Sequence, residues 1–396
     1  MKLMGNDVNV SSNYLVLNSI RMQYPISRND ICEITNLSVP SVSRIAGLLI
    51  EKGCVKEVES EKSGLGRKTK LLDIEETAVL TAGAVYDGKT LTTALINAKG
   101  RILRCAETDK ILISTLEMPS AAPEELVKAI SSHVKKLTEH ESADASKLFG
   151  IGAAMPGIID NERGIVRFSA SLSWDKNVPI AAMLEEETNK HCVIDNDIKA
   201  AACAEYSRRD YDSKITALLY VDEGIGSAVI VDGVILRGIT NSAGEIGHVI
   251  HDAQGMLCSC GKIGCYQTNV INSFLLSEAG KFMDISNVRE IFLPQIRKNV
   301  WAQRIIEKYT NNVARLIDNI AGVYNPDTII LLGELINDVP GLFEDVCNKY
   351  RNTFEGNYMQ YDLSIKKSMY NGHSSLIGIG VLASEKFFKD VAEGFK

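Results

Sequence analysis

The first 76 residues carry apolar positions at helical spacing in three short bursts; beyond them, apolar runs of strand length alternate with longer helical ones. Tyr14, Leu15, Leu17, Asn18 and Ile20 give the first burst one face, and Tyr24-Pro25 ends it. Ser27 opens a second helix with Asp30 three residues on, a weak capping box, and Ile31 and Ile34 supply its inward side. Ser38 caps a third helix from Val39-Pro40 to about Lys52, with Pro40 tolerated in its first turn and Gly53 as its stop. On that helix Val42, Ile45, Leu48 and Leu49 face inward, while Ser41, Ser43 and Arg44 face out. Val55 and Val58 then lie on one strand and Lys70 to Ile74 on another, joined by a polar, glycine-rich loop from Glu61 to Lys68. Three helices and a hairpin make a winged helix-turn-helix, a motif that sets the N-terminal residues of its third helix against base edges in the major groove. The pattern nominates Ser38, Ser41, Ser43 and Arg44 for that contact. Gly66 and Arg67 of the wing are nominated for the minor groove. The rival use of such a segment, a protein-interaction module, leaves the Gly-Leu-Gly-Arg-Lys wing without a role.

From Thr77 on, the alternation predicts an α/β domain. Val79–Val85 and Leu91–Asn97 read as paired strands turning at Asp87-Gly88. Glu124–Glu139 is helical, and Phe149–Gly157 is a strand running into a glycine turn. Val193–Asp197 is a strand ending in polar groups, followed by a helix over Ile198–Tyr206. Thr216–Val221 and Ser227–Val231 are buried strands, and Trp301–Tyr324 is a long amphipathic helix before the strand Thr328–Leu332. The expected division is 1–76 for DNA and 77–396 for a ligand. Within the second part, lobe one covers about 77–196 plus the C-terminal helix, and lobe two about 197–372.

Charge changes this picture little. The net charge of −7 argues against nonspecific attraction to nucleic acid. Residues 1–76 hold ten basic and ten acidic side chains, so any DNA reading comes from local placement. No apolar run approaches the roughly 18 residues that would span a bilayer, and the N-terminus lacks the apolar core of a signal peptide. A cytoplasmic protein with no membrane insertion is expected.

The cysteines add chemistry. His248, Cys258, Cys260 and Cys265 are spaced H-x9-C-x-C-x4-C, and one imidazole with three thiols suits tetrahedral Zn2+. Gly261 and Gly264 permit the tight turns such a loop needs. A closed Cys3His set leaves no position for an activated water, which makes the metal structural. The other six cysteines are scattered through apolar segments, a reducing-compartment pattern.

These residues carry a resemblance. Ala243-Gly244-Glu245-Ile246-Gly247-His248, the Cys258–Cys265 stretch, Met155-Pro156-Gly157, Asn196-Asp197 and Asn325-Pro326-Asp327 resemble the ROK family (repressor, open reading frame, kinase). The N-terminal segment resembles its repressor branch, which includes the xylose and N-acetylglucosamine repressors. The resemblance implies a two-lobed, actin-like sugar-kinase fold with a sugar in the interlobe cleft. It assigns Asn196, Asp197, Glu245 and His248 to that sugar, with Asp197 as the kinases' general base, and implies that His248 serves zinc through one ring nitrogen and sugar through the other.

Departures from the family pattern separate sensor from kinase. The Asp-x-Gly-Gly-Thr that holds ATP phosphates becomes Val85 followed by Tyr86-Asp87-Gly88-Lys89. The second phosphate loop reads Asp222-Glu223-Gly224-Ile225-Gly226, and a Gly-Gly near the adenosine becomes Gly333-Glu334. Carboxylates at those positions repel phosphate. The family's Glu after the third Cys is Gln267, and Ser171 stands where many members have Asn. The expectation is a repressor and not an enzyme. It answers to a sugar or sugar phosphate, binds operator DNA as a homodimer or a tetramer built from it, and is open to a protein partner as its signal. A sugar kinase with an appended regulatory domain is the alternative.

Overall fold

Ser11, Ser27 and Ser38 each set a hydroxyl oxygen over the first turn of a helix, and these caps define α1 (Ser12–Met22), α2 (Arg28–Thr35) and α3 (Val39–Glu51). A cap of this kind contributes about 1 kcal/mol. At Ser27 the box is reciprocal, with the Asp30 carboxylate accepting from the Ser27 amide. The computed structural model describes residues 11–60, 70–174, 176–207, 213–354, 362–370 and 372–394. After α3, β1 (Val55–Glu59) and β2 (Lys70–Ile74) pair antiparallel with Val55 opposite Ile74. The loop joining them, which contains Gly66 and Arg67, lies outside the described residues. Val16, Leu17, Ile20, Ile31, Val42, Ile45, Leu49 and Leu72 make one core, joined by Phe388 and Ala392 from far along the chain. Ile34, expected inward, is 49% exposed, because a two-turn helix buries a stripe only wide enough for Ile31. Leu48 is half-buried and Ala46 takes the inward place beside Ile45.

The first sheet contains β3 (Leu80–Tyr86), β4 (Thr90–Asn97) and β5 (Ile113–Glu117). After α4 (Pro123–Thr138), β6 (Leu148–Met155) enters the same sheet. A small hairpin of β7 (Ile158–Asp160) and β8 (Ile165–Phe168) follows, then α5 (Ile180–Thr188), β9 (His191–Asn196) and α6 (Asp197–Ser207). The order is β5-β4-β3-β6-β9, with β3, β6 and β9 parallel. Leu126, Ile130 and Val134 of α4 and Ile180 and Leu184 of α5 cover one face of this sheet.

A second sheet, ordered β12-β11-β10-β13-β14, is built from β10 (Ile215–Val221), β11 (Ile225–Val231), β12 (Val234–Ile235), β13 (Thr328–Leu332) and β14 (Ser364–Lys367). Its helices are α7 (Asn272–Ala279), α8 (Pro294–Arg297), α9 (Val300–Tyr324), α10 (Glu334–Asp338) and α11 (Leu342–Thr353). Strand β13 is buried along its whole length, as a parallel strand covered on both faces requires. Ile305, Tyr309, Val313, Leu316 and Ile320 of α9 pack on Ala217, Leu219, Ile329 and Leu331. The last helix, α12 (Ser374–Glu393), lies with the first sheet.

The described residues thus form two compact units, 11–207 with 375–394, and 213–374. The sequence reading opened its second lobe near 197. The helix that begins there, α6, belongs instead to the first unit, since it runs straight out of β9 and buries Ile198 to Tyr206 in that unit. No helix among the described residues is long and apolar enough to cross a membrane.

Candidate functional site

The second unit carries the cysteine loop. His248 ends a short 3-10 turn (Ile246–His248), and isolated bridges Ile250–Cys265 and Leu257–Ile263 fold the segment back on itself. Gly264 has a φ of 79°, and its Cα faces the Asp252 carbonyl so closely that a methyl group there would overlap it. Only glycine brings Cys265 round to the other thiols. His251 stacks on Tyr266 at 4.5 Å, and the Tyr266 hydroxyl accepts a hydrogen bond from Asn319 of α9, which ties the loop to the core.

The ligand atoms of His248, Cys258, Cys260 and Cys265 all lie within 4.8 Å of one another. His248 Nδ1 is 3.5 Å from Cys258 Sγ, and Cys260 Sγ is 3.6 Å from Cys265 Sγ. A tetrahedral Zn2+ with ordinary bond lengths sets its N···S and S···S edges at about 3.5–3.8 Å. Those two edges match the size of that ion, and the four side chains together could hold it. Burial, then hydrogen bonds to Cys260 and Cys258, push the Cys265 thiol up to about 12. A divalent cation among the thiols reverses that pressure by stabilising thiolates. The opposite edge of the imidazole faces a carboxylate: His248 Nε2 lies 4.0 Å from Glu245 Oε2, and Glu245 is exposed. Gln267 sits half-buried on the turn Tyr266–Asn269 that follows Cys265 directly.

In the first unit, Asn196 closes β9 and caps α6. Its Oδ1 accepts from the amides of Ile198 and Lys199 at 3.0 and 3.2 Å, and its Nδ2 donates to the Gly157 carbonyl at 3.3 Å. That locks the end of β9 to the glycine turn after β6. Asp197 is then the first residue of α6, half-buried, with its carboxylate at the positive end of the helix. Ser171 lies exposed in the loop Ser169–Trp174, and its carbonyl stands against Gly88 in the β3–β4 turn.

The positions where the family pattern has phosphate loops are occupied by internal hydrogen bonds. In the β3–β4 turn, Asp87 Oδ1 accepts from the amides of Lys89 and Thr90, both at 2.7 Å. Tyr86 donates to the Met118 carbonyl and accepts from the Ala121 amide. In the second unit, Asp222 Oδ2 accepts from the Glu334 amide at 2.9 Å, and Oδ1 accepts from Asn272 Nδ2. Burial raises the Asp222 carboxyl above its usual range against these hydrogen bonds, with Glu334 and Glu223 adding to the rise. Gly333 lets the start of α10 come this close, since a Cβ on it would overlap the Val221 carbonyl. Arg289 holds Glu334 at 2.5 Å and Asp338 at 2.6 Å. Neither Asn272 nor Arg289 was marked by sequence reasoning, because neither belongs to a motif or a period.

On α3, Ser38 Oγ caps the helix and lies 2.9 Å from Ser41 Oγ. Ser43 and Arg44 are exposed, and among the described residues Arg44 makes no ion pair. Val39 is 50% exposed beside them. Of the groups nominated from the sequence for DNA, Ser38, Ser41, Ser43 and Arg44 therefore cap or lie on the first half of one helix, while Gly66 and Arg67 lie outside the described residues.

A sequence profile described as the ROK family matches residues 83–386. The xylose repressor of Caldicellulosiruptor bescii is 26% identical over 381 residues, spanning 92% of this chain and 93% of that one. The N-acetylglucosamine repressor of Escherichia coli O157:H7 is 25% identical over 322 residues, spanning 78% and 77%. Among solved structures, a ROK family transcriptional regulator described as a homolog of the E. coli MLC protein matches with a TM-score of 0.74 at 21% identity, over 96% of this chain and 98% of its own. A ROK hexokinase from Thermus thermophilus matches at 0.65 and 22%, over 78% of this chain and 100% of its own. At these identities the structural likeness establishes the fold.

Proposed function

The chain belongs to the ROK family, and on that premise we propose that it is a sugar-responsive, DNA-binding repressor of carbohydrate-metabolism genes that does not transfer phosphate. The observation that carries the choice against phosphoryl transfer is Asp222, whose carboxylate accepts the first amide of α10. A helix N-terminus is where a phosphate oxygen finds its donors. Here an internal anion takes that donor, and Glu334 adds a second negative charge beside it. The fixed names of the curated relatives support the repressor reading.

The first 76 residues act as a winged helix-turn-helix. Arg44, Ser41 and Ser43 face base edges, Val39 offers an apolar contact for a thymine methyl, and Arg67 of the wing reaches the minor groove. Two such heads in a homodimer, or a tetramer made from it, fit a near-palindromic operator.

In the first unit Asn196, Asp197 and Ser171, and in the second Glu245, His248 and Gln267, offer the amide, hydroxyl, imidazole and carboxylate groups that take the hydroxyls of a sugar or sugar phosphate. Carboxylates and amides suit vicinal hydroxyls because each oxygen can accept and each N–H donate. Zn2+ held by His248, Cys258, Cys260 and Cys265 would pin the loop and fix the ring orientation of His248, leaving Nε2 toward Glu245 and the sugar. A ligand that prefers one arrangement of the protein shifts the affinity of the DNA heads by that preference.

A second reading, an active sugar kinase with an appended regulatory domain, is favoured by one observation: Asp197 stands at a helix N-terminus in a fold shared with a ROK hexokinase. Gel shifts on an operator selected from random DNA, with and without each member of a sugar and sugar-phosphate panel, test the repressor. Selected operator binding relieved or strengthened by one sugar is expected. Absence of any preferred DNA sequence, together with sugar-dependent ADP release, would establish the kinase instead.

A further inference from the structure

The helix α12 touches two places that its own sequence neighbourhood does not predict. At its N-terminal half the contact is backbone against backbone. A Cβ on Gly378 would overlap the Ala200 carbonyl and approach the Ala204 amide to 3.2 Å, so α12 and α6 meet with no side chain between them. Gly83 of β3 and Gly152 of β6 likewise press on the carbonyls of Leu376 and Ile379. Such contacts leave no rotamer that could absorb a shift, and close-packed interiors transmit displacement where side chains cannot yield. The helix on the other side of the Gly378 contact, α6, begins at Asp197.

At its C-terminal half α12 enters the core of the three N-terminal helices. Phe388 and Ala392 are fully buried among Val16, Leu17, Ile20, Ile45 and Leu49. Beside them Glu385 takes a two-pronged ion pair from Arg21 of α1, Oε1 to Nη2 at 2.6 Å and Oε2 to Nη1 at 3.2 Å, with the side chains 2% and 9% exposed. The Tyr14 hydroxyl donates to the same carboxylate at 3.1 Å, and the Arg21 guanidinium lies 4.0 Å over the Phe388 ring. Asn13 Nδ2 donates to the Ala392 carbonyl at 3.1 Å. A bidentate, stacked arginine holds orientation as well as distance.

We infer that α12 is the rod that couples Asp197 and α6 to the DNA-binding helices, with Gly378 as its bearing and the Arg21–Glu385 pair as its fastening. The regulatory part of this inference rests on the sugar reading above; the mechanical part does not. Seven residues separate the two contacts, about 10 Å along one helix. A change at the first residue of α6 is then delivered to α1 as movement of one rigid element. Arg21 and Glu385 are positioning residues that contact neither DNA nor sugar in this scheme.

Hydrogen exchange on the full chain tests the rod without any ligand. Gly378→Ala should speed exchange in α1 (residues 12–22), and Glu385→Gln should speed it in α6 (residues 197–207), each by ~5-fold or more, while β10 and β13 stay at wild-type rates. If Gly378→Ala does not fold, Glu385→Gln decides alone. Faster exchange confined to the contact nearest each substitution would overturn the rod. Coupling is then read as the ratio of operator affinities with and without the effector sugar. Glu385→Gln should leave sugar affinity by calorimetry within ~2-fold and bring a wild-type ratio of ~5–150 down toward 1. An unchanged ratio overturns the inference. A wild-type protein that gives no heat with any sugar instead overturns the sugar reading, and the exchange result still decides the rod.

Discussion

His248 stands between two chemistries, its Nδ1 3.5 Å from the Cys258 thiol and its Nε2 4.0 Å from a carboxylate oxygen of Glu245. One ring therefore reports on the cysteine loop and on the proposed sugar contacts together. Glu245→Gln should weaken sugar binding by about 10-fold, near 1.4 kcal/mol, and leave bound zinc at one per chain. His248→Ala should lose both. Calorimetry with elemental analysis of the same samples reads the two effects, and equal zinc loss in Glu245→Gln would separate the carboxylate from the proposed division of roles.

Removing the proposed Zn2+ should loosen the second unit first. Metal affinity of such a site is folding free energy, so a chelator should lower the melting temperature of wild type and leave Cys258→Ser, already lacking a ligand, unchanged. The sugar effect on operator binding should be lost in Cys258→Ser. Intact regulation in that variant would reduce the loop to an ornament of the fold.

Arg44→Ala should weaken specific operator binding by about 1–3 kcal/mol and relax preference at the base it reads. Arg67→Ala should weaken binding with less dependence on sequence, since the narrow groove is read by width more than by code. Gel shifts on matched and mutated operators distinguish the two losses. Normal binding by both variants would sink the assignment of α3 and the wing to DNA.

A coupled assay for ADP release across hexoses, pentoses and amino sugars should stay at background. Turnover near ~1 s⁻¹, ordinary for an enzyme, would reverse the reading of Asp222 and Glu334 as barriers to nucleotide.

Truncating Phe388 to Ala should cost about 3–5 kcal/mol locally and abolish the proposed operator binding while sugar binding survives, because the ring belongs to the core of the N-terminal helices. Calorimetry on a sample that no longer shifts operator DNA would show the separation.

Local chemistry was legible in the sequence where it is written within a few residues. The serine caps and the Ser27–Asp30 box came out as expected because the donor and acceptor are three positions apart. The cysteine spacing likewise encodes a loop that brings its own ligands together. Ile34 misled because period alone does not say how wide a stripe a two-turn helix can bury. The role of Asp222 as acceptor for the α10 amide was out of reach, since its partner lies 112 positions away and no period joins them. The Arg21–Glu385 pair, 364 positions apart, was hidden for the same reason. Arg21 and Glu385 each read alone as an ordinary charge in a helix.

The place of Phe388 and Ala392 among the N-terminal helices has a consequence for the order of synthesis. The ribosome makes α1 to α3 first, but two buried members of their core arrive some 370 residues later, roughly 20–70 s at ordinary elongation rates. Until then Val16, Leu17, Ile20 and Leu49 lack the surface they finally pack against. A nascent chain thus carries three N-terminal helices whose core stays incomplete until nearly all of the described residues have been made.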